Sequence, residues 1–208
     1  MTPNDLSPAE ARVLGVLVEK QRSVPDTYPL TLNALVAGCN QKTSRDPVMS
    51  LDERDVQEAL DALKHRSLVV ETSGGRVMRY AHNAERALEL PSQSVAILAA
   101  LLLRGPQTAA ELRINTDRMH RFADISAVEG FLHELAARAG GALVAELPRT
   151  AGTRETRWAH LLGGASLARP ATSVEKIDEA RGWQEEIDAL RAELAGLRTR
   201  IEALEARD

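Results

Sequence analysis

The chain has 208 residues, 26 basic and 30 acidic side chains, a formal charge of −4 and only 3% aromatic residues. A net-acidic chain projects no global positive field toward nucleic acid, so any such contact has to come from local patches. The scarcity of aromatics argues against stacking platforms for RNA or single strands. It also leaves the cores to Leu, Val, Ile and Ala. One cysteine, Cys39, excludes an internal disulfide and fits a reducing compartment. The opening MTPNDLSPAEARV has neither a basic n-region nor an apolar h-region. The longest apolar run, Val95 to Leu103, is well short of a membrane span. A soluble cytoplasmic protein without membrane association is therefore expected.

In chain order, Ser7-Pro8-Ala9-Glu10 is a capping box with proline at the first helical position, where its missing N–H matters least. The helix it opens runs to about Lys20 and buries Val13, Leu14, Val16, Leu17 and Val18. The two prolines of Val24 to Pro29 predict a loop. A second helix covers Thr31 to Gly38, with Leu32, Leu35 and Val36 inward. The polar run Asn40 to Arg45 follows. A third helix then opens at Ser50 and Glu53, again at capping-box spacing, with Val56, Ala59, Leu60 and Leu63 on one stripe. Leu68 to Thr72 and Arg76 to Tyr80, joined by Ser73-Gly74-Gly75, read as a β-hairpin. A short helix from Ala84 to Leu90 leads out.

The same order then recurs. Pro91 to Leu103 is an apolar helix and Gly105-Pro106 a turn. Thr108 and Glu111 cap a short helix through Leu112, and Ser126 and Glu129 cap another that buries Val128, Leu132 and Leu135. Leu143 to Leu147 and Thr156 to His160 form a second hairpin. Val56, Leu60 and Leu63 map onto Val128, Leu132 and Leu135 at an offset of 72, and Thr31 and Leu35 onto Thr108 and Leu112 at an offset of 77. The first copy thus holds five extra residues in its polar loop. The expected fold class is mainly α with small β-hairpin wings: tandem winged helix-turn-helix domains at 1–90 and 91–162. A linker at 163–173 and a C-terminal coiled-coil helix at 174–208 complete it. Trp183, Ile187, Leu190, Leu194, Leu197, Ile201 and Leu204 form the heptad seam of that helix, and Glu186/Arg191, Glu193/Arg198 and Arg200/Glu205 pair in sign as a parallel homodimer requires. The alternative is an amphipathic helix folded back on its own chain.

The wording of Leu30 to Met49, LTLNALVAGCNQKTSRDPVM, resembles the signature of the bacterial YceH-like family of unknown function. The segments SPAEARVLGVLVEK and ALDALKHRSLV are similar to it as well, so the resemblance spans residues 5–162. It implies two winged-helix domains in tandem and no established activity.

Three classes of function compete. Double-stranded DNA is the first expected partner. Asn40, Gln41, Lys42, Thr43, Ser44 and Arg45 offer phosphate-contacting and base-reading groups in one loop. Arg76 and Arg79 on the first wing, Arg118 and Arg121 in the second connection, and Arg149 and Arg154 on the second wing add cations. Against this, the third helix, the usual reader of the major groove, displays Asp52, Glu53, Asp55, Glu58 and Asp61, which phosphate repels. The second class is a protein-binding adaptor using those acidic faces, of the kind found in chromosome segregation. The third is an enzyme, and no catalytic residues, cofactor or metal are expected. His65, His82, His120, His133 and His160 have no ligand spacing, and no P-loop, dinucleotide fingerprint or nucleophile elbow is present. Cys39, among apolar neighbours, reads as a small buried hydrophobe.

Overall fold

The computed structural model describes residues 6–148, apart from 74 and 76, and residues 155–163. The expected coiled-coil residues Trp183, Ile187, Leu190, Leu194, Leu197, Ile201 and Leu204 lie outside the described residues, as do Arg76, Arg149 and Arg154. The described part is mainly helical with two small antiparallel strand pairs. Its helices are α1 (Pro8–Ser23), α2 (Leu32–Cys39), α3 (Glu53–His65), α4 (Ala84–Ala87), α5 (Ser92–Arg104), α6 (Ala109–Asn115) and α7 (Ile125–Ala136). The strands are β1 (Val69–Ser73), β2 (Met78–His82), β3 (Val144–Glu146) and β4 (Trp158–His160).

α1 starts at the expected capping box, with Ser7 Oγ accepting from the Glu10 amide at 3.2 Å and the Glu10 carboxylate accepting from the Ser7 amide at 3.0 Å. Thr108 and Glu111 cap α6 in the same way. The caps of the two third helices differ from expectation. α3 is boxed by Asp52 and Asp55, not by Ser50 and Glu53, and α7 is capped by Asp124 alone, which accepts from the Ala127 amide, not by Ser126 and Glu129. For α3 the cause is visible in the preceding loop. The Asn40 side-chain amide donates to Leu51 O at 2.7 Å and accepts from Leu51 N at 2.8 Å. This bond holds Leu51 outside the helix, so the first free cap position is Asp52. The loop at Pro25–Thr27 closes as a single 3₁₀ turn.

The two copies share several specific bonds. Leu30 bridges Tyr80 in the first, and Gln107 bridges Trp158 in the second. Arg79 Nη1 donates to Pro29 O at 2.7 Å and Arg157 Nη1 to Pro106 O at 2.7 Å. Val69 pairs with His82, and Val144 with His160. Leu14 and Leu17 of α1 correspond to Leu98 and Leu101 of α5, so Lys20 corresponds to Arg104.

Those four leucines are all at most 2% exposed, and α1 and α5 lie side by side in one hydrophobic core shared by both halves. The described residues belong to one compact unit. The approach of the two helices is close. A Cβ on Gly15 would meet Leu103 Cγ at 2.9 Å, so a glycine is needed there. Residues 10 to 18 of α1 are buried without a break, because α2 and α3 cover one side and α5 the other.

Two arginines inside this core fix the α2–α3 loop. Arg12, 2% exposed, donates through Nη1 to Cys39 O at 3.0 Å and through Nη2 to Pro47 O. Arg45 is also buried. It donates through Nε to Gly38 O at 3.1 Å and grips Glu19 with both terminal nitrogens at 3.2 and 2.7 Å. It adds bonds to Ser44 O and to the Gln41 side chain. Gly38 O and Cys39 O are carbonyls at the end of α2, where a helix leaves acceptors without partners and favours positive charge. Burial raises the Glu19 pKa, but the hydrogen bonds and charge of Arg45, with help from Lys20, outweigh it and leave the carboxyl below its ordinary value. Burial and the charge of Arg45 together lower the pKa of Arg12.

Two outcomes follow from this arrangement. Glu19→Ala leaves Arg45 buried without its counter-charge and is expected to cost about 3 kcal/mol, the low end for a broken buried pair. Lys42→Ala, exposed in the same loop, should stay within about 0.5 kcal/mol. Urea unfolding of the two variants checks this, and equal midpoints would contradict it. The second outcome concerns pH. Burial holds the His160 imidazole down at about 4, and His82, its counterpart in the first copy, is lowered mainly by burial too. The unfolded chain therefore takes up protons below its ordinary histidine value that the folded chain does not. Stability is full above about pH 6.5 and falls as pH drops toward 4, by on the order of 3 kcal/mol for His160. Because His160 Nδ1 is buried without a partner among the described residues, His160→Phe should fold and flatten the urea midpoint between pH 7.5 and 4.5. An unchanged slope would contradict the assignment.

Candidate functional site

The loop after α2 and the loop after α6 face one cleft of about 700 Å³. The first contributes Gln41, Lys42, Thr43 and Ser44, and the second Asp117, Arg118 and Met119. The ends of α1, α5 and α6 complete it with Lys20, Arg104 and Asn115. A smaller recess of about 300 Å³ shares Ser44, Arg104 and Asn115 and reaches Arg157.

The cleft is held by bonds between the halves. Asp46 N donates to Leu103 O at 2.8 Å, tying the loop to the last turn of α5. Arg104 Nη2 donates to Ser44 Oγ at 2.7 Å. Ser44 sits at φ 61°, a left-handed conformation uncommon outside glycine, asparagine and aspartate. On the far side, Asn115 Nδ2 donates to Gln107 Oε1 at 2.6 Å, and Gln107 in turn bonds Ala100 O at 3.0 Å.

The described residues expected to contact DNA are placed differently from one another. Gln41, Lys42, Thr43, Ser44 and Arg118 come together in the cleft, with Lys42, Thr43 and Arg118 exposed. Arg121 stands beside it, 88% exposed, 3.8 Å from Asp117. Asn40 and Arg45 are corrected: the half-buried Asn40 amide is engaged by Leu51, every N–H of the Arg45 guanidinium is spent on Glu19, Gly38, Ser44 and Gln41, and an arginine whose side chain is 0% exposed cannot reach a phosphate. Arg79 is exposed, yet its Nη1 is an internal tether to Thr27 O and Pro29 O. Cys39 is buried as expected, with its thiol pushed up to about 11 by burial.

The third helices are on the surface. Asp52, Glu53, Asp55, Glu58 and Asp61 of α3 are exposed, against the cations Arg54 and Lys64. Arg54 pairs with Glu58 at 2.9 Å, and Lys64 with Asp61 at 3.1 Å and Glu71 at 2.8 Å. Asp124, Glu129 and Glu134 are exposed on α7, where no Lys or Arg stands between them. Both third helices therefore present net negative charge to solvent.

Sequence reasoning missed Arg12, Glu19 and Arg104. Arginine and glutamate inside a helix normally read as solvent-facing, and the signal for Arg12 was its place in the stretch Ala11 to Val18, which carries no other charge. Among the described residues no group of three His, Cys, Asp or Glu side chains could hold a metal ion, and no helix is long and apolar enough to cross a membrane.

A family model described as "Protein of unknown function, DUF480" matches residues 6–153. The chain is 56% identical over 200 residues to a UPF0502 protein of Dechloromonas aromatica, covering 93% of this chain and 92% of that one. A UPF0502 protein of Acidovorax is 54% identical over 207 residues, covering 96% and 92% of the two chains. One from Burkholderia ambifaria is 65% identical over 160 residues, covering 77% and 67%. With a match that begins at the buried Leu6 and covers the first copy and the second as far as β3, the chain belongs to the DUF480 family of bacterial proteins, whose relatives carry the name UPF0502.

Proposed function

We propose that this protein is a non-enzymatic cytoplasmic adaptor. It is built from tandem winged helix-turn-helix units, presents its third helices to a basic protein surface, and pairs with a second copy through residues 174–208. One observation carries this: the helix that would enter the major groove is exposed and net acidic in both copies. Two of the loop and wing arginines that would offset it, Arg45 and Arg79, are bound to the protein itself. Phosphate repels such helices, whereas lysine- and arginine-rich surfaces match them.

Duplex DNA is the second reading, favoured by the cations Lys42, Arg118 and Arg121 that the two loops leave exposed. Fluorescence anisotropy separates the two. A labelled lysine- and arginine-rich helical peptide is expected to bind, and Glu58→Lys/Asp61→Lys to weaken it by roughly tenfold or more. Random duplex is expected to bind weakly even at about 50 mM salt. Salt-sensitive duplex binding abolished by Lys42→Glu/Arg118→Glu, and indifferent to changes on α3, would replace the adaptor with a DNA-binding protein.

A further inference from the structure

Four cations, Lys20, Lys42, Arg104 and Arg118, line the cleft between the two loops, against two acids, Glu19 and Asp117. Both acids already have partners: Glu19 is held by Arg45 at 2.7 Å and Asp117 lies 3.8 Å from Arg121. The cleft sits where α1, α2, α5 and α6 end, and a helix C-terminus carries partial negative charge. Some of the cations are thereby explained. Lys20 and Arg104, at equivalent places in the last turns of α1 and α5, answer the ends of their own helices. The end of α2 is already served by Arg12 and Arg45, and Leu103 O of α5 by Asp46 N.

Lys42 and Arg118 are left over. Each lies three residues beyond its helix, outside the turn in which the dipole acts. Each is exposed and makes no ion pair with any described residue. They come from equivalent loops of the two copies, yet converge on one cavity. Between them Arg104 is aimed by its bond to Ser44 Oγ, and the hydroxyl of Thr43 and the amides of Gln41 and Asn115 supply neutral hydrogen-bonding groups. One wall is apolar: Met119 and Ile114, the latter 70% exposed. The volume of about 700 Å³ is that of a small-molecule site, and its placement between two halves of one core is a usual one.

We propose that this cleft binds a small phosphorylated ligand. Lys42, Arg104 and Arg118 take the phosphate oxygens, and Ile114 and Met119 take the organic part. The ligand touches both halves at once, so its binding stabilises the folded unit by mass action. The proposal is independent of the acidic third helices and stands or falls apart from the adaptor function.

The test uses the full chain, with thermal unfolding and calorimetric titration against sodium pyrophosphate, ADP and adenosine at low salt. Pyrophosphate and ADP are expected to raise the midpoint in a dose-dependent way, ADP the more strongly, with adenosine alone giving little. Lys42→Ala/Arg118→Ala, at exposed positions without described ion pairs, should unfold at the wild-type midpoint when no ligand is added. It should bind both phosphates roughly tenfold or more weakly. No shift with either phosphate, or equal binding by the double variant, would overturn the proposal. A labelled duplex that binds through the same two residues and is not displaced by ADP would also overturn it, making the cleft a polymer-phosphate surface.

Discussion

The structure depends on two guanidinium groups buried at the end of one short helix. α2 has only eight residues, too few to be stable alone. Its terminal carbonyls would be orphaned inside the protein, where an unmade hydrogen bond is expensive. Arg12 from α1 and Arg45 from the following loop supply the donors. Burying a guanidinium is itself costly, and the bidentate grip of Glu19 on Arg45 offsets that penalty while setting the position of the loop. Every later feature of the first half starts from this fixed point. Asn40 closes the loop on Leu51, Leu51 delays α3 to Asp52, and α3 then lies with its acids outward.

The same clamp joins the halves. Because the loop is held, Asp46 N reaches Leu103 O and Ser44 reaches Arg104. α1 and α5, already in contact along Gly15 and Leu103, gain a polar seam at their ends. The five residues by which the first copy exceeds the second thus do architectural work. They also decide where charge is available: Arg45 is internal, Lys42 is external, and the cleft inherits the difference.

Much of this was legible in the sequence. Capping boxes at Ser7 and Thr108, the apolar stripes of α1, α3, α5 and α7, and the existence of the first hairpin depend on local rules, and local rules suffice for them. The strands of that hairpin stand one and two residues later than expected, with Ser73 paired to Met78. The repeat was legible too, since Leu60 and Leu132 must both face a core. The long-range polar bonds were not. Nothing local says that Arg45 turns inward to Glu19, twenty-six residues away, or that Arg12 sits among leucines. A polar loop next to helix 2 of a winged-helix pattern reads as a surface for phosphate, and the identical residue types serve equally well to satisfy carbonyls. Only the tertiary arrangement separates Lys42, which is exposed, from Arg45, which is not. The exposure of the α3 acids likewise needed the packing of α3 on α1.

Native-state hydrogen exchange of the Asp46 and Leu51 amides tests the central role of the clamp most directly. Held by Leu103 O at 2.8 Å and by Asn40 Oδ1 at 2.8 Å, both should exchange only through global unfolding, with the same protection as the amides of α1 and α5. Protection at the level of an open surface loop would contradict it, and would return Asn40 and Arg45 to solvent and to the partners first expected for them.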